Sequence, residues 1–149
     1  MSEKTAAALA DVSAYHRTHN LWEISPGFVM PALRTLRSDG YKLVVVSNAN
    51  GTLHRLFERL GLTSMFDVIL DSEVEGVEKP DRRFFELALS RSESAAATTV
   101  HVGDFYNIDV TGARGAGLHA ILVDEADLHR DRDCTRIRSI AELPQLLRG

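Results

Sequence analysis

Four short apolar runs, separated by segments of helical period, most constrain what this chain can fold into. Lys42 to Val46, Phe66 to Leu70, Thr99 to Val102 and His119 to Val123 are short, and the first is rich in β-branched residues. That is the pattern of strands covered on both faces. Between them, Leu53, Leu56, Phe57 and Leu60 recur at helical spacing and stop at Gly61. Asp81 can cap a helix carrying Phe84, Phe85, Ala88 and Leu89, and Ile108 to Gly115 predicts another. A helix from about Pro31 to Asp39, with Leu33 and Leu36 inward, precedes the first run. Ser139-Ile140-Ala141-Glu142 has capping-box spacing and opens a closing helix through Leu147. Strand alternating with helix predicts an α/β fold with a parallel sheet.

Composition narrows the functional classes. A net charge of −4 gives no electrostatic reason to expect nucleic acid or an anionic membrane as partner. No apolar run is long enough to span a bilayer, and the amino-terminal residues do not read as a signal peptide. The single cysteine, Cys134, excludes an internal disulfide and fits a reducing, cytoplasmic setting. Asn50-Gly51-Thr52 then reads as a turn, and His129 to Asp133 as a solvated mixed-charge loop. An alanine-rich helix is expected from Thr5 to about His19, with Leu9, Val12, Tyr15 and His16 on one side. A connecting loop follows from Leu21 to Gly27, where Trp22 packs at the helix junction.

Polar groups sit where the apolar runs end. Ser47-Asn48 closes the first run, Asp104 follows the third at Val102-Gly103-Asp104, Asp109 lies five residues on, and Lys79 stands between them in Glu78-Lys79-Pro80-Asp81. Ligands of open parallel sheets bind at the carboxyl ends of the strands. A serine hydroxyl with neighbouring backbone N–H groups can hold phosphate oxygens, and a lysine can stabilise anionic charge. Two aspartates offer hard oxygens suited to Mg²⁺. Each also has a plainer reading: a Ser-Asn turn, a solvated lysine, a helix-capping Asp109. His101, inside a strand, reads as a packed histidine, and the six histidines show no metal-ligand spacing. The glycines of 112–117 are in the wrong order for a dinucleotide fingerprint, and no Gly-x-Ser-x-Gly surrounds Ser47.

Together these segments, with Asp71-Ser72-Glu73 and Gly112-Ala113-Arg114-Gly115-Ala116-Gly117, resemble the haloacid dehalogenase-like superfamily of hydrolases, over about Trp22 to Ile121. The resemblance implies a Rossmann-like three-layer α/β core with a mostly parallel sheet. It implies phosphate monoester hydrolysis through an aspartyl-phosphate, with C–halogen cleavage as the alternative, on a small phosphorylated metabolite with Mg²⁺. By the same transfer Ser47 and Asn48 bind the phosphoryl group and Lys79 is catalytic. Asp104 and Asp109 are metal ligands, and the 112–117 glycines let a helix pack closely on the next strand.

One departure is large. The family's first strand carries Asp-x-Asp-x-Thr or Val, and here the early Asp11 follows alanines and lacks a second carboxylate two residues on. Residues 1–26 are therefore expected to be a residual cap helix and connecting loop, and 27–149 the core, with the central nucleophile strand missing. The chain alone is expected to be inactive. The other reading is a non-catalytic phosphate-binding, metal-binding or interaction module. The strands ending at Ser47 and Asp104 would then pair directly, or another segment would fill the position between them, including a second copy in a homo-oligomer.

Overall fold

All four apolar runs become strands, and a fifth joins them. The computed structural model describes residues 2–16 and 24–148. In chain order it contains α1 (Glu3–His16), α2 (Val29–Ser38), β1 (Val44–Ser47), α3 (Leu53–Arg59), β2 (Val68–Asp71) and α4 (Ser72–Glu75). There follow α5 (Arg82–Ser92), β3 (Val100–Gly103), α6 (Thr111–Gly115), β4 (His119–Val123), β5 (Thr135–Ile137) and α7 (Leu143–Leu146). Every strand pair is parallel, as strands covered by helices require. The expected end of the α1 helix at His19, and Trp22, lie outside the described residues.

The sheet is split. β1 pairs with β2, Val44 opposite Val68 and Ser47 opposite Asp71. β3 pairs with β4, and β4 with β5. Among the described residues β1 and β3 are not hydrogen-bonded to each other, so the expectation that they close up directly is not met. Two helices hold the halves apart. On one face, α2 sends Leu33 to Leu62 and Met65 beside β1, and Leu36 to Ile121 and Ile137 beside β3–β5. On the other, α5 sends Phe84 to Leu70 and Phe85 to Ala113 and Leu118. Each helix thus has adjacent or once-turned side chains in both halves, and the cleft between β1 and β3 is bridged above and below.

β5 went unrecognised in the sequence because only one residue in Thr135-Arg136-Ile137 is buried. A polar anchor fixes it: Arg136 Nη1 donates to Asp124 Oδ2 and to Asp127 Oδ1, both at 2.8 Å. Hydrogen bonds from Arg136 and Arg130 hold the Asp127 carboxyl at about 2. The mixed-charge residues 130–133 are exposed, as expected. The Ser139–Glu142 capping box forms, on a 3₁₀ turn that leads into α7.

α1 touches the core at its carboxyl end, where Asn50 Nδ2 donates to the His16 carbonyl at 2.6 Å. Its apolar residues Leu9 and Val12 remain about half exposed. Among the described residues no helix is long and apolar enough to cross a membrane.

Candidate functional site

The loop leaving β1 is fastened to the end of β2. Asp71, 1% exposed, accepts N–H donors from Gly51 (3.0 Å), Leu53 (3.1 Å) and Glu73 (3.0 Å). Ser72 Oγ accepts from the Ala49 N–H at 3.0 Å and donates to the Ala49 carbonyl at 3.1 Å. A buried carboxylate with three backbone donors leaves its loop little freedom. Ser47 and Asn48 are therefore presented on a fixed turn. Asp71 and Ser72 belonged to the family-like stretch in the sequence, but nothing there told their role.

Ser47 Oγ makes no hydrogen bond among the described residues, so its donor is open to a ligand. Asn48 behaves otherwise. Its Oδ1 accepts from the Lys79 N–H and its Nδ2 donates to the Lys79 carbonyl, both at 2.8 Å. The Asn48 side-chain amide is thus spent on the Lys79 main chain and sets where Lys79 starts.

Lys79 ends on Asp109. Its Nζ donates to Asp109 Oδ1 at 2.7 Å, and His101 Nε2 meets the same oxygen at 2.9 Å. The Phe105 N–H donates to Oδ2 at 2.9 Å. Burial pushes the Asp109 carboxyl up, but the hydrogen bonds from His101 and Lys79 and the lysine charge outweigh it and hold the group well below the carboxylate range. An ionised carboxylate only accepts, so the His101 proton sits on Nε2. The His101 and Phe85 rings meet in a T-shaped contact, 5.1 Å between centroids, which fixes the imidazole plane.

A widened helical turn places Asp109. The helix expected from Ile108 begins at Tyr106 as a π-type turn through Val110 and becomes α-helical at Thr111. The turn returns the Asp109 carboxyl beneath Gly103, where a Cβ would lie 2.5 Å from Oδ2. The glycines after it act differently from expectation. Gly112 makes room for Phe85 and Pro80, not for the following strand, and a Cβ at Gly115 would meet open space.

Asp104 stands exposed after β3, without a hydrogen bond or ion pair among the described residues. Mg²⁺ would find one open carboxylate here, since both Asp109 oxygens are engaged. Among the described residues no three histidine, cysteine or acidic groups gather into a metal cluster. Asp104 is the open carboxylate that the described residues offer to Mg²⁺, an ion held by one or two carboxylates with waters and substrate phosphate completing its octahedron.

The structure thus joins Asn48, Lys79 and Asp109 in one hydrogen-bonded chain from the end of β1 to the end of β3. Ser47 and Asp104 stand at those two ends. His101 is the participant that sequence reasoning passed over, reading it only as a packed histidine.

A parallel α/β scaffold with these groups at its strand ends defines a Rossmann-like core. The family model described as haloacid dehalogenase-like hydrolase matches residues 2–117, and the chain belongs to that family. It is 41% identical over 102 residues to haloacid dehalogenase-like hydrolase domain-containing protein 3 of Bos taurus, covering 68% of this chain and 40% of that protein. It is 38% identical over 123 residues to the glyceraldehyde 3-phosphate phosphatase of Methanothermobacter thermautotrophicus, covering 75% and 54%. The crystal structure of a phosphatase of this family from Thermococcus onnurineus superposes with a TM-score of 0.77 at 28% identity, covering 83% of this chain and 58% of that one. The chain spans between two fifths and a little over half of the length of these two relatives.

Proposed function

We infer that this chain carries the phosphoryl-gripping part of a phosphate monoester hydrolase acting on a small phosphorylated metabolite, and that alone it does not turn substrate over. The observation that carries the reading is the fixed chain Asn48–Lys79–Asp109 beside the open Ser47 hydroxyl. Phosphatases among the relatives support it. Lys79 spends one N–H on Asp109 and keeps two for an anion. Asp109 supplies the counter-charge that aims the ammonium. Ser47 adds a neutral donor at the end of β1. A phosphate ester bound there has its oxygens polarised, but it needs a nucleophile to be cleaved. Asp11 lies on exposed α1, and Asp39 is paired with Arg148, so neither serves. We read α1 as part of a cap and 27–149 as the core.

Calorimetric titration with inorganic phosphate, alongside phosphate release from p-nitrophenyl phosphate with Mg²⁺, tests this. Weak phosphate binding that disappears in Lys79→Ala, without release above the buffer rate, is the expected result. Absence of phosphate binding removes the gripping role; Mg²⁺-dependent release lost in Lys79→Ala removes the inactivity. A non-catalytic interaction module is the second reading, favoured by the edges of β1 and β3, which are not paired with each other among the described residues.

A further inference from the structure

Lys79 and His101 meet on one oxygen. Lys79 Nζ lies 2.7 Å and His101 Nε2 2.9 Å from Asp109 Oδ1, and the two side chains are only 12% and 11% exposed. The other oxygen, Oδ2, accepts the Phe105 N–H at 2.9 Å. An ammonium facing a bare carboxylate can lie on either oxygen or between them. Here His101 holds one oxygen and the Phe105 N–H the other, so the carboxylate cannot turn, and Lys79 is left the remaining lone pair of Oδ1. With that N–H direction set, the other two follow from the tetrahedral ammonium. His101 also draws on the Asp109 charge. A carboxylate whose charge is spread over several donors competes less for the ammonium than one that faces it alone.

The imidazole is itself held. Its T-shaped contact is with Phe85, a ring 1% exposed and packed with Ala113 and Leu118. Phe85 belongs to α5, whose capping residue Asp81 follows Lys79 by two positions. One helix therefore sets both donors of Oδ1: the Lys79 backbone through the start of α5, and the His101 plane through Phe85. We propose that His101 is a positioning residue, acting through Asp109 Oδ1 to aim the Lys79 ammonium at a phosphoryl oxyanion and to keep it available. This role rests on the phosphoryl reading for its ligand, whereas the aiming of Lys79 is a property of the chain alone. A histidine that only filled space beside Phe85 would leave the ammonium indifferent to the His101 hydrogen bond.

Two substitutions separate these roles. His101→Gln carries an amide donor that reaches about as far as Nε2, and His101→Leu keeps apolar bulk without a donor. Calorimetry measures inorganic phosphate binding to the whole chain, each variant first shown to be folded by urea unfolding. Phosphate affinity is expected to fall at least about tenfold in His101→Leu and to stay within about threefold of the parent in His101→Gln. In phosphate-free samples of the isotope-labelled chain, NMR reads the scalar coupling across the hydrogen bond from Lys79 Nζ to Asp109 Cγ. That coupling is expected in the parent and in His101→Gln, and averaged away in His101→Leu. Undiminished coupling or unchanged phosphate affinity in His101→Leu overturns the proposal, as does a His101→Gln chain that behaves like His101→Leu. If His101→Leu does not fold, Phe85→Leu frees the imidazole plane while keeping His101, and retained coupling in that variant overturns the proposal. A parent that binds no phosphate removes the gripping reading, and the coupling then decides by itself whether His101 aims Lys79.

Discussion

Asp109 is where the economy of the site is set by one side chain. Three donors from separate elements meet its carboxyl group, which is 2% exposed: Lys79 from the loop before α5, His101 from β3 and the Phe105 N–H. Gly103 lies against it so closely that no Cβ fits. Because its folded-state pKa lies below the ordinary 3.8, Asp109 contributes stability above that value and loses it as pH falls toward the folded value. Asp109→Asn keeps the shape and removes the charge. It leaves Lys79 buried beside a neutral amide, at a cost of roughly 3 kcal/mol at neutral pH. Urea unfolding should show the variant much weaker than the parent near neutrality and nearer to it at about pH 2 than at about pH 5; a constant difference across that range would refute the assignment. Lys79 and Asp109 lie off the strands, in the loop before α5 and in the π-type turn, whereas the positions of Ser47 and Asp104 at strand ends were legible because a polar residue there closes an apolar run. The roles of Asn48 and His101 were not, since both depend on partners about thirty and eight residues away.

At the scale of elements, α2 and α5 matter beyond their own burial, because each has side chains in both half-sheets. Leu36, 4% exposed, packs with Ile121, Ile137 and Leu143 from one half, and Leu33 on the same helix packs with the other. Truncating Leu36 opens a cavity on the helix that spans the cleft. Leu36→Ala should therefore cost about 2–5 kcal/mol, read as a lower urea midpoint, while the solvent-facing Arg34→Ala should move it by less than about 0.5 kcal/mol. Equal effects would show that α2 is not the bridge. The periodicity that placed Leu33 and Leu36 inward also found α5 and four strands, with boundaries one or two residues off. It could not find β5, a short edge held by Arg136 to Asp124 and Asp127. Nor could it find the π-type turn at Tyr106–Val110, which keeps the apolar spacing of a helix and alters only the hydrogen-bond pattern.

Across the whole molecule, continuous β-branched runs such as Val44–Val46 read as the centre of a sheet, and in most parallel sheets such strands are the slowest to exchange. Here, among the described residues, β1 and β3 each have one hydrogen-bonded neighbour, while β4 lies between β3 and β5. Cleft-facing amides exchange without breaking a strand–strand bond, and amides facing β2 or β4 require local opening. Native-state hydrogen exchange on the chain alone should alternate along residues 44–47 and 100–103, slow beside fast. Amides of β4 around Leu122 should all be slow, being paired on both sides. Uniformly slow exchange through β1 and β3, equal to that of β4, would mean that the half-sheets close on each other in solution. The separation that α2 and α5 maintain would then be lost, and with it the span that the Asn48–Lys79–Asp109 chain bridges and on which the phosphoryl reading depends.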